Sequence, residues 1–516
     1  MKTSDISNSM KKNMIGQLFM IGISGDTLTR EEEKFISENN IGFIILFSRN
    51  TKDTTKVKAL TKHIHKLGTI KPLIFIDQEG GPVVRFGEKT STFISHMGLA
   101  ATGKPEYARF TGKIIGYEMN SMGIDGIFAP VLDVNTEKNN PVIGIRSFSD
   151  NKRTVSKFGA SFINGLREGG VIPCPKHFPG HGNTSEDSHL TLPVTDISEK
   201  ELIKTHIHPY KKVFGSDVDA IMTAHVIYSS IDNNPGTFSP VFLKYLLRDN
   251  LDFNGVVFSD CLEMSAIKEN YSHEEIIEKG VIAGIDIFSV SHSIDFAKKL
   301  ISSMKNIIKT NSNALLNINK SYERIMKLKE KSAGISYKSN FSLRDHLEME
   351  QKIAARSITV LKKSKGVLPL NPDKDIMIIN MRKSGRSTDF SDGKTVMSFK
   401  SIIEKKFKHF KIVNPDKITD WGNFKKMVKV ASNVILINYS FGGKEDIESE
   451  DFIKKIIGIR KNIILVAAEN PYILRNFREV AVKIATFGSR RIQIEALIDL
   501  LAGSIKSTGK FPVKLF

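Results

Sequence analysis

Short apolar runs punctuate the first 290 residues at regular intervals. They fall at 41–47, 73–76, 127–134, 171–174, 220–223, 256–259 and 285–290. Each is rich in β-branched and aromatic residues and too short for a helix, so each predicts a strand buried on both faces. Between them lie longer stretches with helical spacing, such as 56–67 and 274–283. Strand–helix alternation predicts a parallel sheet with crossover helices. Seven or eight such units in about 250–330 residues fit a closed barrel, so the fold class is α/β with a TIM-type (β/α)8 barrel. Residues 14–22 read as its first helix and strand, and 291–340 as helix, rich in Lys and Ser. A second alternation follows, with strands expected at 376–380, 434–439, 463–467 and 484–487. It predicts a smaller α/β sandwich domain. The expected division is 1–335 for the barrel, 336–350 for a linker and 351–516 for the second domain.

Polar residues gather just after the apolar runs. Asp77, Gln78 and Glu79 follow one, Asp133 and Asn135 close the next, Lys176 and His177 follow another, then His225, then Asp260. The carboxyl ends of barrel strands form one face, and active sites are built there. The densest group is Lys176-His177-Phe178-Pro179-Gly180-His181-Gly182, followed by Asp187-Ser188-His189. A glycine-broken loop of this composition holds polar groups around a ligand. A carboxylate beside an imidazole fixes its tautomer and tunes its basicity, so Asp187 and His189 form a candidate acid/base dyad.

Asp260 ends a buried run, where a carboxylate is expensive unless paired or used. It reads either as a nucleophile toward a sugar's anomeric carbon or as the N-cap of a helix beginning near Leu262. Asp77 can accept sugar hydroxyls, and Arg85 can donate two hydrogen bonds in a fixed fork; an ion pair in the barrel mouth is the plainer reading. A metal centre built from His177, His181, His189, His225 and Asp260 is disfavoured, because Pro179 and Gly180 break the helix face that the His177/His181 spacing needs.

With 516 residues, 40% hydrophobic and 25% charged, the chain is an ordinary globular one with more than one core. Two cysteines, Cys174 and Cys261, are too few for a disulfide framework. No run is long and apolar enough to span a bilayer, and 14–22 makes a poor export signal, so a cytoplasmic location is expected. The net charge of +19 is uneven: residues 351–516 hold 32 Lys+Arg and 16 Asp+Glu. The basic side chains are scattered between apolar strands without aromatic interleaving, so no nucleic-acid partner is expected.

Several segments together resemble glycoside hydrolase family 3, in its β-N-acetylglucosaminidase branch. They are KHFPGHGNTSEDSH (176–189), IGQLFMIGI (15–23), FIDQEGG (75–81), FAPVLDVN (128–135), IGIRSFS (143–149) and VVFSDCLEM (256–264). SITVLKKSKGVLPL (357–370) and GKFPV (509–513) resemble the second domain of two-domain members. The resemblance implies that Asp260 is the nucleophile and that His189, oriented by Asp187, is the acid/base. It implies that Asp77, Arg85, Arg146, Lys176 and His177 contact the N-acetylglucosamine before the cleaved bond. The implied reaction is retaining hydrolysis of terminal β-linked N-acetylglucosamine from peptidoglycan fragments, with a small glycan as substrate and no cofactor. An imidazole acid/base turns neutral on giving up its proton, so phosphate can approach the intermediate without meeting a second anion. The alternatives are therefore a phosphorylase or β-glucosidase of the same family, or a non-catalytic binder of cell-wall fragments. Pro82, Ile145, Cys261 and Lys363 depart from residues common in the family.

Overall fold

The computed structural model describes residues 14–188, 190–214, 218–333, 343–382 and 399–516. The chain is α/β and separates into two compact units that are not contiguous in sequence. The first comprises Met1–Glu79, Arg109–Val134 and Val155–Ser339; the second comprises Gly80–Ala108, Asn135–Thr154 and Asn340–Phe516.

In the first unit the predicted runs are short strands: β1 (Phe19–Gly22), β2 (Phe43–Leu46), β3 (Leu73–Ile76), β4 (Gly126–Ile127), β5 (Ile172–Pro173), β6 (Ala220–Met222), β7 (Val256–Phe258) and β8 (Phe288–Val290). The order β8-β1-β2-β3-β4-β5 forms one sheet, and β7 pairs with β6. All of these pairings are parallel, with Met20 opposite Phe43, Phe43 opposite Leu73 and Val256 opposite Ala220. Single parallel bridges join Phe178 to Thr223 and Phe258 to Ile287. Both faces of these strands are buried, which is why the sequence reads as continuous apolar runs rather than an alternation.

Inside, Phe258 on β7 meets Phe43, Phe75 and Phe128 at ring-centre distances of 5.3, 5.1 and 5.5 Å. These tilted and edge contacts suit the ring quadrupole. Gly126 is required here, since a Cβ at that position would lie 2.3 Å from the Phe75 ring. At the amino ends of β2 and β3, Lys329 on the helix Ser312–Ala333 donates to Gly42 O (3.0 Å) and Lys71 O (2.7 Å).

The second unit holds β9 (Thr359–Lys363), β10 (Ile376–Asn380), β11 (Phe410–Val413), β12 (Asn433–Asn438), β13 (Ile464–Ala467) and β14 (Val482–Ala485). Their order is β9-β14-β13-β12-β10-β11. Every pair is parallel except β9 with β14. Four of these strands were expected; β9 and β11 were not. Both are edge strands with partly exposed, lysine-bearing sequences, so their apolar pattern is diluted. The core of the unit includes Met97, Ala101 and Ile145 beside Ile379, Leu436, Leu465 and Ala467. Of the linker expected at 336–350, residues 343–350 lie in the helix Leu343–Ser357, and 336–342 lie outside the described residues.

Candidate active site

Beyond β5 the chain runs through buried Cys174 into Lys176–His181. Backbone bonds clamp this segment on both sides. Leu132 N donates to Lys176 O (2.7 Å), Phe178 N to Met222 O (2.8 Å) and Ala224 N to Phe178 O (2.7 Å). The Lys176–His177 and Phe178–Pro179 peptides are cis. Gly180 has φ 142°, and a Cβ there would lie 2.8 Å from His206 Cβ, so this position tolerates only glycine.

Lys176 is 3% exposed and bonds Asp77 Oδ1 at 2.7 Å and Glu79 Oε1 at 2.6 Å. One buried ammonium thus holds two carboxylates that would otherwise repel. His177 Nδ1 lies 2.7 Å from Asp133 Oδ2. The carboxylate only accepts, so the imidazole carries its proton on Nδ1. Asp133 Oδ1 also accepts from His181 N at 2.6 Å. Asp133 is fully buried, which by itself raises its pKa. The charge and hydrogen bonds of His177, with those of His181, outweigh burial and hold it below the usual carboxylate value.

His181 spans the loop, with Nδ1 2.9 Å from Thr184 Oγ1 and Nε2 3.0 Å from Ser188 Oγ. Burial, then repulsion by His177, pulls its pKa down to about 4, so it is neutral near pH 7. Ser188 stands between Asp187 and His189, and His181 therefore anchors the candidate dyad's loop. Asp187 O accepts from Leu190 N and Thr191 N at 3.0 Å. His189 itself lies outside the described residues.

Asp260 follows β7. The next helix begins at Ser265 and is capped by Met264, so Asp260 is not a helix N-cap and that alternative falls. The turn after it is fixed to the turn after β8. Leu262 N donates to Ser289 O (2.9 Å), and Glu263 Oε2 accepts from Ser291 N (2.7 Å) and His292 N (2.6 Å). His225 braces the same turn. Its Nε2 donates to Cys261 O at 3.0 Å, and its Nδ1 is 2.7 Å from Thr237 Oγ1, which meets Thr223 Oγ1 at 2.9 Å. Both ring nitrogens of His181 and of His225 are thus engaged by protein atoms. Burial first raises the Cys261 thiol to about 11, so it is not a thiolate near pH 7.

Asp77 is thus paired with Lys176, the neighbouring His177 is paired with Asp133, and Asp260 lies in the same unit. Arg85 and Arg146 belong to the second unit. Both are buried; Arg146 Nη1 donates to Val142 O at 3.1 Å. The sequence reading gave no role to Glu79, Asp133 or Thr237, and none to His181 or His225 apart from the disfavoured metal centre. Glu79, Asp133 and His225 carried the right signal, a polar residue directly after an apolar run, but their partners are distant in sequence.

The family model for the glycosyl hydrolase family 3 N terminal domain matches residues 10–328. The chain belongs to glycosyl hydrolase family 3. It is 32% identical to Beta-hexosaminidase A of Pseudoalteromonas piscicida over 388 residues, 69% of this chain and 65% of that protein. A family 3 β-N-acetylglucosaminidase from Paenibacillus sp. str. FPU-7 superimposes with a TM-score of 0.89 at 28% identity, covering 98% of both chains. NagZ from Neisseria gonorrhoeae, solved in complex with N-trifluoroacetyl-D-glucosamine, superimposes with a TM-score of 0.54 at 32% identity over 62% of this chain and 96% of that one.

Proposed function

We propose that this family 3 member is a retaining exo-β-N-acetylglucosaminidase that acts on peptidoglycan fragments. In this reading the first unit is a closed (β/α)8 barrel. The parallel bridges Phe178–Thr223 and Phe258–Ile287, the β8–β1 pairing, and the contact of Phe43 with Phe258 support closure. The barrel would extend to about residue 335, and the second domain would run from 351.

The observation that carries the activity is a carboxylate, Asp260, presented by a braced turn at the carboxyl end of β7 in a family 3 chain. In the proposed first step an Asp260 oxygen attacks the anomeric carbon. The glycosidic bond breaks, and His189 gives its proton to the leaving oxygen. In the second step His189 takes a proton from water, whose oxygen displaces Asp260 and regenerates the carboxylate. Asp187 orients the imidazole. Asp77, Lys176, His177, Arg85 and Arg146 hold the sugar through charge-assisted hydrogen bonds. Relatives named β-hexosaminidase and β-N-acetylglucosaminidase support the N-acetyl sugar as substrate. Among the described residues no helix is long and apolar enough to cross a membrane.

The test is turnover of a chromogenic β-N-acetylglucosaminide beside the matching β-glucoside, each with and without phosphate. Release from the N-acetyl substrate alone, indifferent to phosphate and abolished by Asp260→Ala, is the expected result. A sugar 1-phosphate product would make the enzyme a phosphorylase. No release from either substrate would leave a binding protein.

A further inference from the structure

We propose that the C-terminal half of the chain is the positioning element for the segments that carry Arg85 and Arg146. The proposal rests on the reading of these two arginines as sugar contacts. Both segments, Gly80–Ala108 and Asn135–Thr154, fall in the same compact unit as Asn340–Phe516. Neither is long enough to bury a core of its own.

The Arg85 segment is tied down on both sides of the arginine. Arg490 Nε donates to Gly81 O at 2.6 Å, and Thr92 N donates to buried Glu350 Oε1 at 2.5 Å. Ser95 Oγ donates to Phe487 O at 2.6 Å and also caps the helix His96–Ala101. Lys510 N donates to Ala101 O at 2.9 Å. Met97 and Ala101 of that helix are buried in the core of the C-terminal sheet.

The Arg146 segment is fixed in the same manner. Ile145 is buried in that core. Asn135 Nδ2 donates to Tyr472 OH (3.3 Å), Lys514 N donates to Asp150 Oδ2 (2.8 Å), and Ser149 Oγ donates to Pro512 O. The turn after β12 fits closely against it: a Cβ on Gly442 would lie 2.8 Å from Asn140 O.

His96 joins the two segments. Its Nδ1 donates to Arg146 O at 2.7 Å, and its ring stacks on Phe148 at 4.4 Å with 18° between planes. A continuous bonded path thus runs from Phe487, just beyond β14, through Ser95 and the helix N-terminus to His96 and the backbone of Arg146. The main chain around each arginine is held by groups from the C-terminal half, which sets where each side chain starts before substrate arrives. Pre-set donors bind without a further ordering penalty, so the element acts on sugar affinity rather than on bond cleavage.

The experiment uses the full-length protein and its His96→Leu, His96→Gln and Arg490→Met variants. KM and kcat are measured with a chromogenic β-N-acetylglucosaminide, Kd with N-acetylglucosamine, and folding by thermal unfolding. His96→Leu and Arg490→Met are expected to raise KM and Kd by about tenfold, the equivalent of about 1.4 kcal/mol, while kcat stays within about threefold. His96→Gln, which keeps a donor, is expected to recover most of the affinity. Unchanged KM and Kd in a folded His96→Leu or Arg490→Met protein would overturn the proposal while the activity reading stands. A wild type that neither turns over the substrate nor binds the sugar would overturn both.

Discussion

Replacing His206 by methionine should stabilise the protein, and more so in acid. His206 ends the helical turn Leu202–His206 and is 1% exposed. Neither ring nitrogen has a hydrogen-bond partner among the described residues. A buried, unpaired polar group costs about 1–3 kcal/mol. Methionine fills irregular space without polar hydrogens and keeps the Cβ that packs on Gly180. At pH 7 the gain should therefore be about 1–3 kcal/mol. The first unit has roughly 290 residues, so each kcal/mol is worth about 1.6 °C in Tm, and the rise should be roughly 2–5 °C.

The pH dependence provides the sharper test. Burial is the main cause that pulls the His206 pKa from 6.5 to about 4, against the opposing pull of Asp133 and Glu201. As pH falls below 6.5 the unfolded chain takes up a proton that the folded chain refuses until about 4. The wild type is destabilised across that window, by about 2 kcal/mol at pH 5. His206→Met lacks this loss, so the Tm gap between variant and wild type should widen by about 3 °C from pH 7 to pH 5. His181 shifts in the same direction in both proteins and cancels. Calorimetric scans of both proteins at the two pH values would suffice. A variant less stable at pH 7, or a gap that stays constant between pH 7 and 5, would refute the reasoning.

Three further outcomes are expected. Asp133→Asn removes the buried carboxylate that accepts from His177 Nδ1 and His181 N and should cost about 1.5–3 kcal/mol at pH 7. Because the folded pKa of Asp133 lies below its unfolded value, the wild-type advantage should hold above about pH 4 and fade below it in urea titrations. Lys176→Met removes the buried ammonium that bonds both Asp77 and Glu79, the latter 1% exposed. It should lower stability by about 3–5 kcal/mol and raise KM for the N-acetyl substrate at least tenfold. His225→Leu removes the donor to Cys261 O and should slow trapping of Asp260 by a fluorinated N-acetylglucosaminyl donor by roughly tenfold to a hundredfold, with N-acetylglucosamine binding unchanged; His225→Gln should recover part of the rate.

Much of the first unit was legible because its strands are buried on both faces. A run such as Leu73–Ile76 has no polar alternative, and composition alone marks it. The edge strands β9 and β11 escaped because one side meets solvent and their lysines interrupt the pattern. The site divides in the same way. Asp77, Lys176, His177 and Asp260 announce themselves as polar residues at the ends of apolar runs. Glu79 and Asp133 sit at the same kind of position, yet their importance lies in what they pair with. The Lys176–Glu79 and His177–Asp133 contacts span 97 and 44 residues of sequence.

The order of elements and the supply of chemistry were thus determined by the sequence alone, since hydrophobic periodicity and residue type are local properties. The tertiary structure decided which groups meet. It joined one lysine to two carboxylates, set the His177 tautomer through Asp133, and removed Asp260 from any capping role. It also gathered 80–108 and 135–154 with the C-terminal half of the chain. No local signal encodes that last arrangement, because segments too short to bury their own apolar side chains take whichever core accepts them.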